Sequence, residues 1–147
     1  MNFPELIESF AKRHGIADLA AEDNAAALDI DGIVVTLVAA GDSFSISADI
    51  GEPPAEGRAS FADLLLEANL QADAFFAKEP EGETYVAVRR LALPTLDSDA
   101  FDVALESLVN QAETWRRLLA DFRPVAEAAA AEAQEEPAFG AGGFVQV

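Results

Sequence analysis

The chain begins with an apolar pattern that repeats at helical spacing. It predicts a helix from about Pro4 to His14, with proline at a position that the first helical turn favours. Basic residues 12–14 complement the negative end of the helix dipole, and Gly15 is typical of a helix end. The residues on the apolar face of this helix are Phe3, Leu6, Ile7 and Phe10.

Three segments with the patterns of β-strands follow. The stretch Ala26 to Ile30 ends in an alternation of apolar and acidic residues, and Asp31-Gly32 after it predicts a tight hairpin turn. The stretch Ile33 to Ala40 is β-branched and apolar on both faces, as in a central strand. The stretch Phe44 to Ile50 alternates apolar with polar residues, which predicts one buried and one polar face.

A second helix carries more leucine than one buried face can use. Ser60 and Asp63 predict a capping-box-like start, and the helix runs to about Gln71. Its leucines are Leu64, Leu65, Leu66 and Leu70. One face of the helix can pack on the sheet. The remaining leucines predict contact with another chain, most simply a second copy across a two-fold axis.

Two more strands and a long helix complete the pattern. Ala74 to Lys78 and Thr84 to Leu91 predict an antiparallel pair, and the last helix begins near Asp97 or Ser98. Its apolar stripe is Phe101, Leu105, Leu108, Ala112, Trp115, Leu119 and Phe122. The order α-β-β-β-α-β-β-α predicts an α+β fold with a twisted antiparallel sheet flanked by helices.

The composition changes near the end of that helix. Residues 125–136 are nearly all Ala, Glu and Gln, and residues 137–147 contain three glycines and no charge. Such a segment offers little apolar surface that could dock on a core. We therefore predict one domain over residues 1–123 and an Ala/Glu/Gly-rich, flexible C-terminal tail over residues 124–147.

Charge narrows the choice of partners. The 147 residues carry a formal charge of −18 with only nine Lys and Arg, which argues against nucleic acid as a partner because phosphate binding needs clustered cations. No run approaches the about 18 apolar residues of a membrane span, and the N-terminus lacks the pattern of a signal peptide. The absence of cysteine excludes disulfides and fits a reducing cytoplasm. We predict a cytoplasmic protein with no membrane partner.

The sequence contains no recognisable catalytic constellation. His14 is the only histidine, and its place in the last turn of a helix favours a surface role over that of a catalytic base. Asp29-x-Asp31 resembles a fragment of a calcium loop but lacks the other ligand positions. Arg89-Arg90 fits solvated strand positions better than an acidic-ligand site. We predict no enzymatic activity, no metal and no cofactor.

The strand that begins at Ile33 leaves one question open. Ile33, Val35 and Leu37 lie on one of its faces, and Val34 and Val38 lie on the other. Helices of the same chain could bury both faces, or one face could remain for another protein. The sequence alone favours neither reading.

Four stretches together resemble the Tir chaperone family, the class I chaperones of bacterial type III secretion. "SISADIGEPP" leading to "FADLLLEANL" is similar to the family's strand, proline-containing loop and leucine-rich helix. "VRRLALPTLDSDAF" and "LVNQAETWRRLL" are similar to its final strand, Leu-Pro connection and long helix. The resemblance covers about residues 3–120 and leaves the tail outside.

The resemblance implies a function and two sets of residues. Members of the family are non-enzymatic, cytoplasmic homodimers that hold the N-terminal segment of a secreted effector unfolded before export. An adaptor or regulatory module of the same fold without a secretion client is the alternative. By resemblance, the dimer interface is Leu64, Leu65, Leu66, Ala68, Leu70 and Phe75. By resemblance, the client contacts are Phe3, Ile7, Val34, Thr36 and Val38.

Overall fold

The helices and strands follow one another in the predicted order. The computed structural model describes residues 2–123. The helices are α1 (Phe3–His14), α2 (Arg58–Ala68) and α3 (Ser98–Ala120), and a short 3-10 turn spans Leu93–Thr95. The strands are β1 (Ala25–Ile30), β2 (Ile33–Ala40), β3 (Ser43–Gly51), β4 (Phe75–Lys78) and β5 (Tyr85–Ala92).

Helix α1 is closed at both ends by local hydrogen bonds. The Asn2 side chain accepts a hydrogen bond from the Glu5 backbone N–H at 2.9 Å, and the Asn2 backbone N–H donates to the Glu5 carboxylate at 3.2 Å. These two bonds form a capping box and satisfy donors that a helix start leaves free. At the other end Gly15 adopts the left-handed conformation, with φ of 66°, and its N–H bonds to the carbonyl of Ala11.

The start predicted for α2 is wrong. The chain enters the helix before Ser60, because the Phe61 N–H already bonds to the Gly57 carbonyl at 3.0 Å. Gly57, with φ of 75°, precedes the helix, and no side chain caps its first turn, so Ser60 and Asp63 form no capping box. A glycine in the left-handed region turns the chain without steric cost, and the helix begins there without a side-chain cap.

The five strands form one antiparallel sheet in the order β1-β2-β3-β5-β4. β3 is central, whereas β1 and β4 are the two edges. The β1–β2 hairpin pairs Ile30 with Ile33 across the predicted two-residue turn. The register between β3 and β5 shifts between Asp49 and Gly51, where Gly51 has φ of 146°. A Cβ atom at position 51 would lie 2.9 Å from the Leu119 side chain, so glycine lets the bulge come close to the C-terminal half of α3.

The three helices contribute to a core on one side of the sheet, which we call the inner face. Its strand residues are Ala26, Ile33, Val35, Leu37, Phe44, Ile46, Ala48, Ile50, Phe76, Tyr85 and Ala87. Aromatic rings join the layers: Phe101 of α3 lies 5.8 Å from Phe44 and 5.3 Å, edge-on, from Phe10 of α1. Phe61 anchors α2 in the same way, with its ring 5.9 Å from Trp115. The predicted α+β architecture is therefore confirmed.

The predicted tail lies outside the described residues, so its division from the domain stays a prediction. We expect a chain truncated after Pro124 to melt within a degree or two of the full-length protein. The reason is that Phe122, whose ring is 5.2 Å from Phe61, already completes the packing around α2. The measurement is thermal unfolding followed by circular dichroism.

A shorter truncation supplies the matched control. Ending the chain after Ala120 removes Phe122, and we expect the melting temperature to fall by several degrees because about 1–2 kcal/mol of aromatic burial is lost. An equal fall in both truncated chains would contradict the prediction and would show that residues 125–147 contribute to folding.

Candidate protein-interaction surfaces

The second face of the sheet, which we call the outer face, carries five apolar residues that the core does not include. We call them the apolar stripe: Val34, Val38, Phe75, Val86 and Val88. Directly paired residues of antiparallel strands share a face. Thr36 pairs with Ser47, Ser47 with Val88, and Val88 with Phe75, so these four form one row across four strands. Neither Val88 nor its neighbour Val86 belongs to the core cluster, although both side chains are buried.

Two valines of β2 are the most accessible part of this stripe. Val34 is 45% exposed and Val38 is 48% exposed, and Thr36 lies half-buried between them. On the same strand Val35 and Leu37 are 0% and 1% exposed. The chain's own helices thus bury one face of β2, and the valines of the other face remain accessible.

Charged groups lie around the apolar stripe. Burial raises the pKa of the Asp49 carboxyl above its ordinary value, while the nearby Arg116 guanidinium acts in the opposite direction. Arg116 also donates a hydrogen bond to the Gly32 carbonyl at 2.9 Å, which ties α3 to the end of the β1–β2 hairpin. Arg90 lies over the ring of Phe75, 5.2 Å from its centre, in a cation–π contact.

Two of the five predicted client residues are elsewhere. Phe3 and Ile7 are 3% and 1% exposed, and both belong to the core on the inner side of the sheet. The Phe3 ring lies 6.0 Å from Phe44. The structure therefore brings Val34, Thr36 and Val38 together and separates them from the two α1 residues, whose side chains are used by the protein's own core.

The leucines of α2 divide between core and solvent. Leu65 is 4% exposed and lines a groove of about 520 Å³ with Phe76 and Tyr85. We call the other three the leucine patch: Leu64, Leu66 and Leu70, which are 43%, 64% and 88% exposed. Leu66 lies at the rim of the groove that Leu65 lines.

Two further residues of the predicted dimer interface, Ala68 and Phe75, are half-buried near the leucine patch. Ala68 ends α2, and Phe75 begins β4. The patch and these residues lie together at the β4 side of the molecule.

Asn69, to which the sequence analysis gave no role, covers the β4 edge. Its side-chain oxygen accepts a hydrogen bond from the Phe76 N–H at 2.6 Å, and its side-chain nitrogen donates to the Phe76 carbonyl at 3.4 Å. An open edge would present these two groups to another strand. The sequence shows an asparagine between a leucine-rich helix and a short strand. It does not show which backbone groups the asparagine side chain bonds.

Some of the charged residues that the sequence analysis considered as possible sites make structural contacts. Asp102 accepts hydrogen bonds from Arg13 and lies 3.2 Å from the His14 ring, so these residues join α1 to α3. Arg89 is half-buried and Arg90 exposed. Within residues 2–123 no group of His, Asp and Glu side chains is placed to hold a metal ion. In the same range no helix combines the length and hydropathy needed to cross a membrane.

Comparison with known proteins places this geometry in a family. The profile of the Tir chaperone protein (CesT) family matches residues 5–116, which contain the three helices except the first two residues of α1 and the last four of α3. None of the curated proteins matches the chain.

Solved structures share the fold at low sequence identity. A chain of the ExsC–ExsE complex is 23% identical with a TM-score of 0.69, and the alignment covers 79% of this chain and 92% of that one. A chain of the HopA1–SchA chaperone–effector complex is 14% identical with a TM-score of 0.65, over 77% and 91% of the two chains. A chain from the complex of the Yersinia pestis type III secretion chaperone SycH with a fragment of YscM2 is 21% identical with a TM-score of 0.62, over 78% and 99%.

Proposed function

The chain belongs to the Tir chaperone protein family, and we propose that it is a non-enzymatic export chaperone of bacterial type III secretion. In this role it binds the N-terminal segment of a secreted effector in the cytoplasm and keeps that segment unfolded. The observation that carries the proposal is the apolar stripe of the outer face. Val34 and Val38 are each about half exposed in a chain that buries every other large side chain of β2.

An extended client suits this surface better than a folded one. The stripe is a row of side chains on a sheet rather than a deep pocket, and such a row can accept alternate side chains of an extended segment. Binding an unfolded segment costs conformational entropy, which the burial of apolar area must offset. The related structures of a chaperone with an effector and of a chaperone with a protein fragment support the same assignment.

We further propose that the protein acts as a homodimer joined through the leucine patch, with Ala68 and Phe75 beside it. Leu65 lies on the buried side of the same helix, where its packing in the core holds α2 in place. Burial of a Leu side chain contributes about 1.5–3 kcal/mol, so three leucines from each copy can offset the cost of association. A two-fold axis beside α2 would place the leucine patch of one copy against the same patch of the other.

The proposed function is tested by finding the client and examining its bound state. The tagged protein is purified from its native cytoplasm, and proteins that accompany it are identified by mass spectrometry. We expect an exported protein whose capture is lost when its N-terminal segment is deleted. A partner that is not exported would support the adaptor alternative instead.

The bound state gives a second, independent measurement. Calorimetry with the client's N-terminal fragment should show a negative heat-capacity change and only a modest dependence on salt. Hydrogen exchange should protect a few short stretches of the fragment. A compactly folded bound fragment, or affinity abolished by moderate salt, would contradict the proposed mechanism.

A further inference from the structure

Helix α3 ends beside one end of the apolar stripe. A cleft of about 220 Å³ is lined by Val34 of β2, by Asp49 and Gly51 of β3 and by Arg116 of α3. One turn further along α3, the Leu119 side chain lies close to Gly51, only 2.9 Å from where a Cβ atom would be. The chain therefore leaves α3 at the end of the sheet where Val34 lies.

The sequence beyond the described residues contains a short apolar segment without charge. Residues 137–147 carry no charged side chain, in a chain whose formal charge is −18. Three large apolar residues stand close together in Phe144-Val145-Gln146-Val147, which we call the FVQV segment. Three apolar side chains are too few to build a core, but they are enough for a weak contact with exposed apolar groups.

The dimensions of the FVQV segment and of β2 match. Val34 and Val38 are four residues apart on the strand, a separation of about 13 Å, and four residues of extended chain cover a similar length. The 20 residues 124–143 join the segment to the described chain, and a flexible linker of that length spans roughly 25 Å. Because Val34 and Arg116 line the same cleft, this span is sufficient for the segment to reach both valines.

We propose that the FVQV segment docks on Val34 and Val38 of its own chain and that the client displaces it. The inference rests on the proposed function for the competitor, whereas the docking itself needs no client. A linker of this length gives an effective concentration of about 1 mM, so a segment with a dissociation constant near that value covers the valines about half of the time. The client then meets a surface that is half occupied, which lowers its apparent affinity about twofold.

Charge separates this occupant from two others. The cleft beside Val34 is lined by two carboxylates, those of Asp49 and Glu52, and by one cation, Arg116. A second copy of the chain carries a formal charge of −18 and is repelled by such a surface. The chain's own residues 125–136 contain four glutamates and no Lys or Arg, so they are repelled as well. The uncharged FVQV segment meets no such repulsion.

Occupancy of about one half also agrees with the small effect on melting expected for truncation after Pro124. A contact that is formed half of the time multiplies the folding equilibrium constant by about two. This factor changes the melting temperature of a domain of this size by about one or two degrees. Docking of the FVQV segment is therefore compatible with a domain that folds without it.

The test compares three full-length proteins by NMR of labelled valine methyl groups: the wild type, Phe144→Asp and Ala130→Asp. Phe144→Asp places a charge in the FVQV segment and should end the docking, so the methyl signals of Val34 and Val38 should shift. Ala130→Asp adds the same charge to the preceding residues and should leave these signals unchanged. Val103 of α3 is 68% exposed outside the apolar stripe, and its signal should stay constant in all three proteins.

Dilution distinguishes docking on the same chain from binding to a second molecule. The wild-type signals of Val34 and Val38 should stay in place on about 20-fold dilution, because an intramolecular contact does not depend on protein concentration. A wild-type spectrum that approaches that of Phe144→Asp on dilution would assign the contact to another molecule and overturn the inference. Unchanged valine signals in Phe144→Asp, or equal changes in Ala130→Asp, would overturn it as well.

The client's N-terminal fragment supplies a second measurement and separates this inference from the proposed function. Calorimetry should show the fragment binding Phe144→Asp about twofold more tightly than it binds the wild type or Ala130→Asp. Equal affinity for all three proteins would overturn the inference and leave the chaperone role intact. Shifted signals of Val34 and Val38 in Phe144→Asp, without any exported client, would leave the docking standing and remove the chaperone role.

Discussion

Replacing Leu66 by aspartate is expected to dissociate the proposed homodimer without unfolding the chain. The Leu66 side chain is 64% exposed in the single chain, so an aspartate there remains hydrated in the monomer. In a dimer formed through the leucine patch the carboxylate would have to lose its water without gaining a partner. Such burial costs about 3 kcal/mol, which raises the dissociation constant by about 100-fold or more. The measurement is sedimentation equilibrium at tens of micromolar protein.

Two other leucines make this experiment specific. Leu118 of α3 is 50% exposed but lies outside the patch, so Leu118→Asp should leave the dimer intact. Leu65 is 4% exposed, so Leu65→Asp should lower the melting temperature sharply by placing a charge in the core. A wild-type protein that sediments as a monomer would remove the dimer. Dissociation by Leu118→Asp as readily as by Leu66→Asp would move the interface away from α2.

The elements of this fold were accessible to sequence reasoning because their signals are local. The predicted bounds of β2 agree with the structure, because a two-residue turn and a glycine turn enclose a run rich in β-branched and apolar residues. α3 likewise begins where expected, with the Asp97 carboxylate accepting a hydrogen bond from the Ala100 N–H at 2.7 Å. Spacing along the chain is enough to predict such features.

The division of apolar residues between core and surface was not accessible in the same way. The period of β2 shows two apolar faces, and the period of α1 shows one. Neither pattern shows which face of β2 the apolar face of α1 packs against. The packing of α1 and α3 on the inner face buries Phe3 and Ile7 and leaves Val34 and Val38 accessible. That outcome depends on where helices far apart in sequence lie on the sheet.

A groove between α1, β1 and α3 and the Asn69 contact show the same limit. The groove is lined by Phe10, Leu28 and Leu105, which come from three separate segments. Asn69 bonds to Phe76 only because α2 lies beside β4. Sequence spacing cannot reveal either arrangement, because each depends on the tertiary packing of elements that are not adjacent in the chain.

Replacing Val38 by aspartate is expected to weaken binding of the client's N-terminal fragment strongly while the dimer and the fold persist. Val38 is 48% exposed and its side chain lies outside the core, so the charge costs the free chain little. In the complex the same position would be covered by an apolar anchor of the client, and burying the carboxylate there costs about 3 kcal/mol. The expected loss is about 100-fold in affinity, measured by calorimetry.

The position also offers a variant that separates charge from shape. Val38→Thr keeps the branched side chain and the strand preference but replaces a methyl group by a hydroxyl, so the affinity should fall only a few fold. The heat-capacity change should become less negative in step with the apolar area lost. Unchanged affinity in Val38→Asp, with its dimer and melting temperature also unchanged, would show that the client does not cover the outer face. The accessible valines would then need a different partner, since half-exposed apolar groups in a row on one sheet face favour contact with another chain.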